Sequence, residues 1–145
     1  MSAIECKTRA GNYLTFDLQG ERYGFETMRV VAIIGIQPIT PLPQAPGHVK
    51  GLTMVRGKVL PVIDARRRLG MPDVEPTAET CIILLNVGTG QTRVIVDAVH
   101  NVVDLVEEQF EDLQEGIDSD DLVGVARVEN HIVTVLDVDG MTKFS

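Results

Sequence analysis

Residues 47–70, GHVKGLTMVRGKVLPVIDARRRLG, constrain the fold more than any other stretch. Two apolar runs, 52–55 and 59–63, flank the turn Arg56-Gly57-Lys58. β-Branched and apolar runs broken by a glycine suit a hairpin, because glycine takes the positive φ that a tight reversal requires. Pro61 has no N–H to give to a ladder, so it belongs at an edge, a bulge or a strand start, and the second strand is expected to be irregular. The three arginines that follow, ending at Gly70, read as one short helical turn with a glycine stop.

The rest of the chain repeats this grammar. Residues 12–18 alternate, with Leu14, Phe16 and Leu18 on one face and Tyr13, Thr15 and Asp17 on the other, and Gln19-Gly20 turns into a partner strand at 23–25. Residues 27–35 mix helical spacing (Met28, Val31, Ile34) with β-branched pairs, which predicts a helical turn followed by a strand. Pro38, Pro41, Pro43 and Pro46 make an extended connection; their PxxP-like spacing is explained as well by a linker. Further hairpins are expected from 80–87 with 93–99 and from 122–128 with 132–138, and a short strand at 102–106. The polar loop 71–79 is expected to link two halves of the fold. The pattern is all-β, of small barrels or rolls, and 145 residues suffice for one domain or two small subdomains without covalent staples. With 4% aromatic residues and no Trp, the core must be built of Val, Ile and Leu.

Charge restricts the partners. Residues 1–100 carry 11 basic and 9 acidic side chains and residues 101–145 carry 2 and 12, so the net charge of -8 is concentrated at the C-terminal end. This disfavours nucleic acid, which needs clustered cations to displace counterions. Arg66-Arg67-Arg68 is the one locally basic run, read as a solvated helical face, and residues 107–121 as a solvated, peripheral acidic loop with a helical turn. Cys6 and Cys81 do not form a disulfide framework; Cys81 is expected to be a buried free thiol, and residues 1–11 a flexible N-terminal segment without secretory character.

Chemistry-bearing constellations are not apparent. His48, His100 and His131 are scattered beside turns and strand ends, as solvated or capping histidines. Gly88-Thr89-Gly90 lacks the Gly-Lys-Ser/Thr of a phosphate loop and reads as a turn. Asp118, Asp120 and Asp121 begin like a calcium loop, but Leu122 falls where an oxygen is required; Asp137, Asp139 and Gly140 are misphased. Asp64 and Asp97 end apolar strands, where hydrogen bonding to local backbone explains them better than acid/base pairing.

Leu14-Thr15-Phe16, Tyr23-Gly24, residues 43–46 bounded by prolines, Val49-Lys50-Gly51, Arg56-Gly57, Leu60-Pro61-Val62-Ile63-Asp64 and Val96-Asp97-Ala98-Val99 follow one another across nearly the whole chain. In this order and spacing the sequence resembles the CheW-like domains, adaptors that join chemoreceptors to the histidine kinase CheA in bacterial chemotaxis. The resemblance implies a single domain over 1–145 that is mainly β, with two SH3-like five-stranded barrel subdomains packed around a shared hydrophobic core and with short helical turns. It implies a cytoplasmic, non-enzymatic adaptor, recruited to receptor arrays, that binds the regulatory domain of a CheA-like kinase and the cytoplasmic tip of a methyl-accepting chemoreceptor. No cofactor, metal, nucleic acid or membrane insertion is expected. By the same resemblance the receptor-facing groove would use Val30, Gly51, Arg56, Val99 and Val102, the valines for buried area and Arg56 for directional hydrogen bonds. Core packing explains each valine equally, and a bulge explains Gly51. Ala32 stands where the family usually has glutamate and Met54 where it has asparagine, which bears on partner choice. The alternatives are a ligand-binding sensory β-domain with a cleft between its barrels, or a CheW-like scaffold of a paralogous pathway outside chemotaxis.

Overall fold

The computed structural model describes residues 9–88, 90–112 and 121–143. The alternating segment forms β1 (Gly11–Leu18), and the Gln19-Gly20 reversal returns the chain as β2 (Glu21–Glu26). A 3-10 turn, Thr27–Arg29, leads into β3 (Val30–Gly35), the turn-then-strand that the mixed spacing predicts. The organising hairpin is β4 (Val49–Val55) and β5 (Lys58–Asp64), followed by α1 (Ala65–Arg68). Its reversal needs only Arg56 (φ 51°) and Gly57 (φ 80°); two positive φ values in a two-residue loop match the right-handed twist of the flanking strands. β6 (Cys81–Val87) and β7 (Gly90–Val96) make the next hairpin. β8 (Ala98–Leu105), a 3-10 turn Glu107–Gln109, the two-residue β9 (Phe110–Glu111), the hairpin β10 (Leu122–Val128) and β11 (His131–Leu136), and α2 (Val138–Met141) complete the described chain.

Among the described residues the strands form two sheets, in the orders β8-β1-β2-β11-β10-β9 and β3-β6-β7-β5-β4. The mainly β, two-part architecture expected from the sequence is present, with β9 as a short sixth strand of the first sheet. The sheets are not the two halves of the sequence, however. The chain leaves the first sheet after β2, builds the whole second sheet, and returns at Asp97 between β7 and β8. The loop 71–79 therefore connects α1 to β6 within one sheet rather than linking the two. In each sheet a parallel pair joins two hairpins, β2 with β11 and β5 with β7. Such pairs join segments distant in sequence, so no local pattern announces them.

Pro61 shows how the ladder tolerates a missing donor. It lies opposite Leu52, whose own N–H and C=O are used on Thr40 at 2.8 and 2.9 Å, on the side of β4 away from β5. The Leu52–Pro61 pair is thus one that exchanges no hydrogen bonds, and the parallel pairing to β7 begins only at Val62. β5 runs unbroken through its proline, and the irregularity of the pair falls on β4, where the register shifts between Val49 and Gly51 opposite Ile63 and Val62.

A shared core holds the two sheets together. Leu14, Phe16, Leu18, Phe25 and Leu136 from the first sheet meet Val49, Ile63, Ile83, Leu85, Val94 and Val96 from the second, with Ala65, Val138 and Met141 of the helical turns filling the ends. Phe16 packs on Phe25 at 4.8 Å and on Tyr23 at 6.2 Å between ring centroids. The opposite face of each sheet holds a smaller cluster of its own. The first gathers Tyr13, Leu105, Phe110, Ala126, Val133 and Val135, and the second Val62, Ile82 and Ile95. At about 25 cal/mol per Å² of apolar surface removed from water, complete burial of a side chain such as Phe16 is worth about 2–3 kcal/mol, so the shared cluster is the main source of cohesion between the sheets.

Several surface expectations are corrected. Arg66, Arg67 and Arg68 are not a solvated face: each ion-pairs, with Asp97 (2.6 Å), Asp73 (3.0 Å) and Asp121 (3.0 Å). In a one-turn helix the three side chains point in different directions, so each meets a different segment. The acidic stretch is tied down at its ends, since Asp121 holds Arg68 and Glu107 holds Arg9; residues 113–120, with Asp118 and Asp120, lie outside the described residues. His48 is buried, with Nε2 2.5 Å from the Lys143 carbonyl, whereas His100 and His131 are exposed. Cys81 is a half-buried free thiol, and Cys6 lies outside the described residues.

Candidate functional site

The five positions singled out in the sequence occupy different edges of the two sheets. Val30 opens β3, an outer strand of the five-stranded sheet, at a register shift against β6. Val99 and Val102 sit on β8, an outer strand of the six-stranded sheet, opposite Phe16 and Leu14. Val30 and Val99 are half-buried and pack against the shared core, whereas Val102 is 56% exposed. The structure thus divides the valines: two act partly as core, and one offers its surface to solvent.

Gly51 and Arg56 lie on the other edge, at β4. Gly51 is buried at a register shift, with φ 156°, and a Cβ there would stand 2.2 Å from the Thr40 carbonyl oxygen. Only glycine lets the proline-rich segment cross β4 this closely. Arg56 is exposed at the hairpin tip and has no ion-pair or hydrogen-bond partner among the described residues. Immediately below it Met54 faces Val59 across the hairpin, and these side chains are 71% and 54% exposed. An apolar cross-strand pair beneath a free guanidinium is a feature the sequence reading passed over, although the placement of Met54 and Val59 on either side of the turn could have shown it.

A second overlooked signal is in β3. Residues 30–34, VVAII, contain no polar residue, so whichever face packs inward, the other must present apolar side chains. Val31 and Ile33 are exposed, as is Met28 in the preceding turn. A groove of about 470 Å³ runs along the proline-rich segment, lined by Leu42, Pro43, Ala45, Pro46, Leu52 and Pro61, with little polar character.

Electrostatics fastens the frame that carries these surfaces. Asp64 caps α1 by accepting the Arg66 N–H at 3.0 Å, the local backbone role expected of it. Asp97, at the crossing between sheets, accepts Arg66 Nε and Nη2 at 2.7 and 2.6 Å and the Gln19 N–H at 2.9 Å. Burial pushes the Asp97 carboxyl up, but the Arg66 guanidinium and the Gln19 amide outweigh it and hold the group below the usual carboxylate range. Asp139 is likewise held low, by Arg29, which also donates to the Asn86 carbonyl at 2.9 Å. These bonds tie α1, α2 and both sheets together without assembling a nucleophile, a base and an electrophilic site. Among the described residues, no group of three or more His, Cys, Asp and Glu side chains is placed to hold a metal ion.

Comparison with known proteins follows the same lines. The CheW-like domain family matches residues 12–144. The chain is 30% identical over 131 residues to the chemotaxis protein CheW of Bacillus subtilis, covering 88% of this chain and 84% of that protein. It is 28% identical over 142 residues to the chemotaxis protein CheW of Klebsiella aerogenes, covering 96% and 86%. The crystal structure of the scaffolding protein TtCheW from Thermoanaerobacter tengcongensis superimposes with a TM-score of 0.83 at 26% identity, over 92% of this chain and 93% of that one. Sequence order, two-sheet architecture and match length agree, and the chain belongs to the CheW-like domain family of non-catalytic chemotaxis adaptors.

Proposed function

We propose that this chain couples the regulatory domain of a CheA-like histidine kinase to the cytoplasmic tip of a methyl-accepting chemoreceptor, and does so without catalysing a reaction. The observation that carries this reading is the β4–β5 tip, where exposed Met54 and Val59 lie under the unpaired Arg56. Apolar area combined with a guanidinium free to make directional bonds has the composition of a protein–protein hot spot, whereas a small-molecule site needs enclosure. Arg56 and Val102 supply exposed contacts in this reading, Val30 and Val99 brace the surface from the shared core, and Gly51 keeps Thr40 in place beside β4. Coupling needs no cofactor: an adaptor that binds one arrangement of receptor and kinase better than another shifts the equilibrium between them. No helix among the described residues is long and apolar enough to cross a membrane, and in this reading the receptor supplies the link to it.

The test is calorimetric binding to a kinase regulatory domain and to a receptor-tip fragment, each separately, after chelation and nucleotide removal. Both are expected to bind. Arg56→Ala is expected to weaken receptor-tip binding about thirtyfold, equivalent to ~2 kcal/mol, while changing folding stability by less than ~0.5 kcal/mol. Unchanged receptor affinity in the folded variant would remove Arg56 from the interface. A strict need for metal or nucleotide would overturn the cofactor-free adaptor.

A further inference from the structure

Arg93 is the exception among the buried and half-buried arginines. Partly exposed arginines such as Arg66 and Arg68 meet carboxylates at 2.6 and 3.0 Å, yet Arg93, on β7, is 2% exposed and has no carboxylate within ion-pair distance among the described residues. It projects to the face of the five-stranded sheet that carries Val62 and Ile95, since Val62 is its neighbour in register and Ile95 lies two residues along the same strand. Both of its side-chain hydrogen bonds leave from Nη1, to Gln37 Oε1 at 3.1 Å and Thr53 Oγ1 at 3.2 Å, and both acceptors are neutral. Nε is buried without a partner, as is the Nε of Arg68, whose Nη2 does meet a carboxylate. Burial depresses the guanidinium pKa, with no neighbouring negative charge to oppose it. A buried cation held only by neutral oxygens is costly, and an Nε left empty is half of the fork that a carboxylate fills with two parallel bonds.

A pocket lies beside this guanidinium, on the far side of Gln37. Gln37 is an exposed residue whose side chain both accepts from Arg93 and lines a pocket of about 190 Å³. Ile39 and Ile95, which belong to the same apolar cluster or pack on it, form another part of that wall. Lys50 and Arg66 on the lining offset Asp64 and Asp97, leaving the buried guanidinium behind Gln37 as the uncompensated charge. The Gln37 amide oxygen occupies the place where a charged oxygen would bind more strongly.

We propose that Arg93 is the receptor for a single carboxylate group, which enters from this pocket by displacing the Gln37 side chain from Nη1 and bonds to the guanidinium in its place. The group belongs to a short free acid or to the glutamate side chain of a partner, and the two sources present the same chemistry to Arg93. The site is distinct from the Arg56 surface and stands whether or not that surface binds a receptor.

The Nε–H resonances of the arginines report on the site directly. Sodium acetate, exchanged for sodium chloride at constant ionic strength, is expected to shift the Arg93 Nε–H signal saturably; the signal is assigned by its loss in Arg93→Met. The thermal midpoint of the wild type is expected to rise over the same titration and that of Arg93→Met to stay fixed. Gln37→Ala, at an exposed position, keeps Arg93 and removes its competing acceptor, so half-saturation is expected at several-fold lower acetate. If acetate is silent but the peptide acetyl-Ala-Glu-Ala-amide shifts the signal in the wild type, the carboxylate comes from a protein side chain. If neither probe moves the Arg93 signal, or Arg93→Met is stabilised as the wild type is, the proposal is wrong.

Discussion

The two sheets share a construction, a hairpin joined to a second hairpin by a parallel pair, and differ in what they bury on the faces turned away from their common core. The six-stranded sheet encloses Tyr13, Leu105, Phe110, Ala126, Val133 and Val135. Its one polar tip, the Tyr13 hydroxyl, donates to the Arg9 carbonyl at 2.6 Å, and Arg9 lies 4.6 Å over the Phe110 ring while pairing with Glu107. The five-stranded sheet encloses only Val62, Ile82 and Ile95, beside a guanidinium with an empty Nε. One interior satisfies every strong demand placed on it, and the other is smaller and holds a demand in reserve. The same strand plan can thus be finished as scaffold on one side and left open to chemistry on the other.

Substitutions can break or sharpen this contrast. The largest effect is expected at Phe110, buried edge-to-face against Tyr13 at 6.3 Å; Phe110→Ala should cost about 3–4 kcal/mol in denaturant unfolding. A cost below ~1 kcal/mol would mean that the six-stranded sheet does not depend on its own cluster. Gly51→Ala comes next, at about 2 kcal/mol, because the new methyl must push Thr40 backbone aside. Asp97→Asn, where the chain passes between sheets, should cost about 1 kcal/mol at neutral pH. Because the folded pKa of Asp97 is depressed, its contribution is complete above the unfolded value of about 3.9 and is lost as pH falls through the folded value. The fall in stability between about pH 4 and the acid transition should therefore be shallower in Asp97→Asn. The smallest effect is expected at Arg93, whose replacement by Met should leave stability within ~1 kcal/mol of the wild type or above it, because an unpaired buried charge is exchanged for apolar contact. A loss as large as that of Phe110→Ala would erase the distinction between the two interiors.

What was legible in the sequence is what local chemistry controls. Alternation in β1 placed Leu14, Phe16 and Leu18 in the shared core, Arg56-Gly57 marked the reversal between β4 and β5, and Asp64 caps the helical turn it precedes. The arrangement of hairpins was not legible, because β2 with β11 and β5 with β7 pair across long separations that leave no periodic trace. Arg66, Arg67 and Arg68 looked solvated for the same reason: their partners Asp97, Asp73 and Asp121 come from separate segments. Of the candidate docking residues, the sequence identified Arg56 but not the Met54–Val59 pair beneath it. Arg93 escaped altogether, since a single arginine in an apolar strand reads as an ordinary outward side chain until the register shows which face it occupies.

The parallel pairing of β2 with β11, Arg22 beside Val133 and Gly24 beside Val135, also sets the order in which the molecule can be built. The middle of the chain contains every strand of the five-stranded sheet, so that unit can assemble while the remainder is still being made. The N-terminal hairpin must wait, with Leu14, Phe16 and Phe25 committed to a core whose Leu136 and Met141 arrive last. Closure between such distant segments carries a large loop-entropy cost before any contact offsets it. During synthesis the exposed edge of β2 is thus the surface most open to mispairing, and completion of the C-terminal hairpin is the event that removes it.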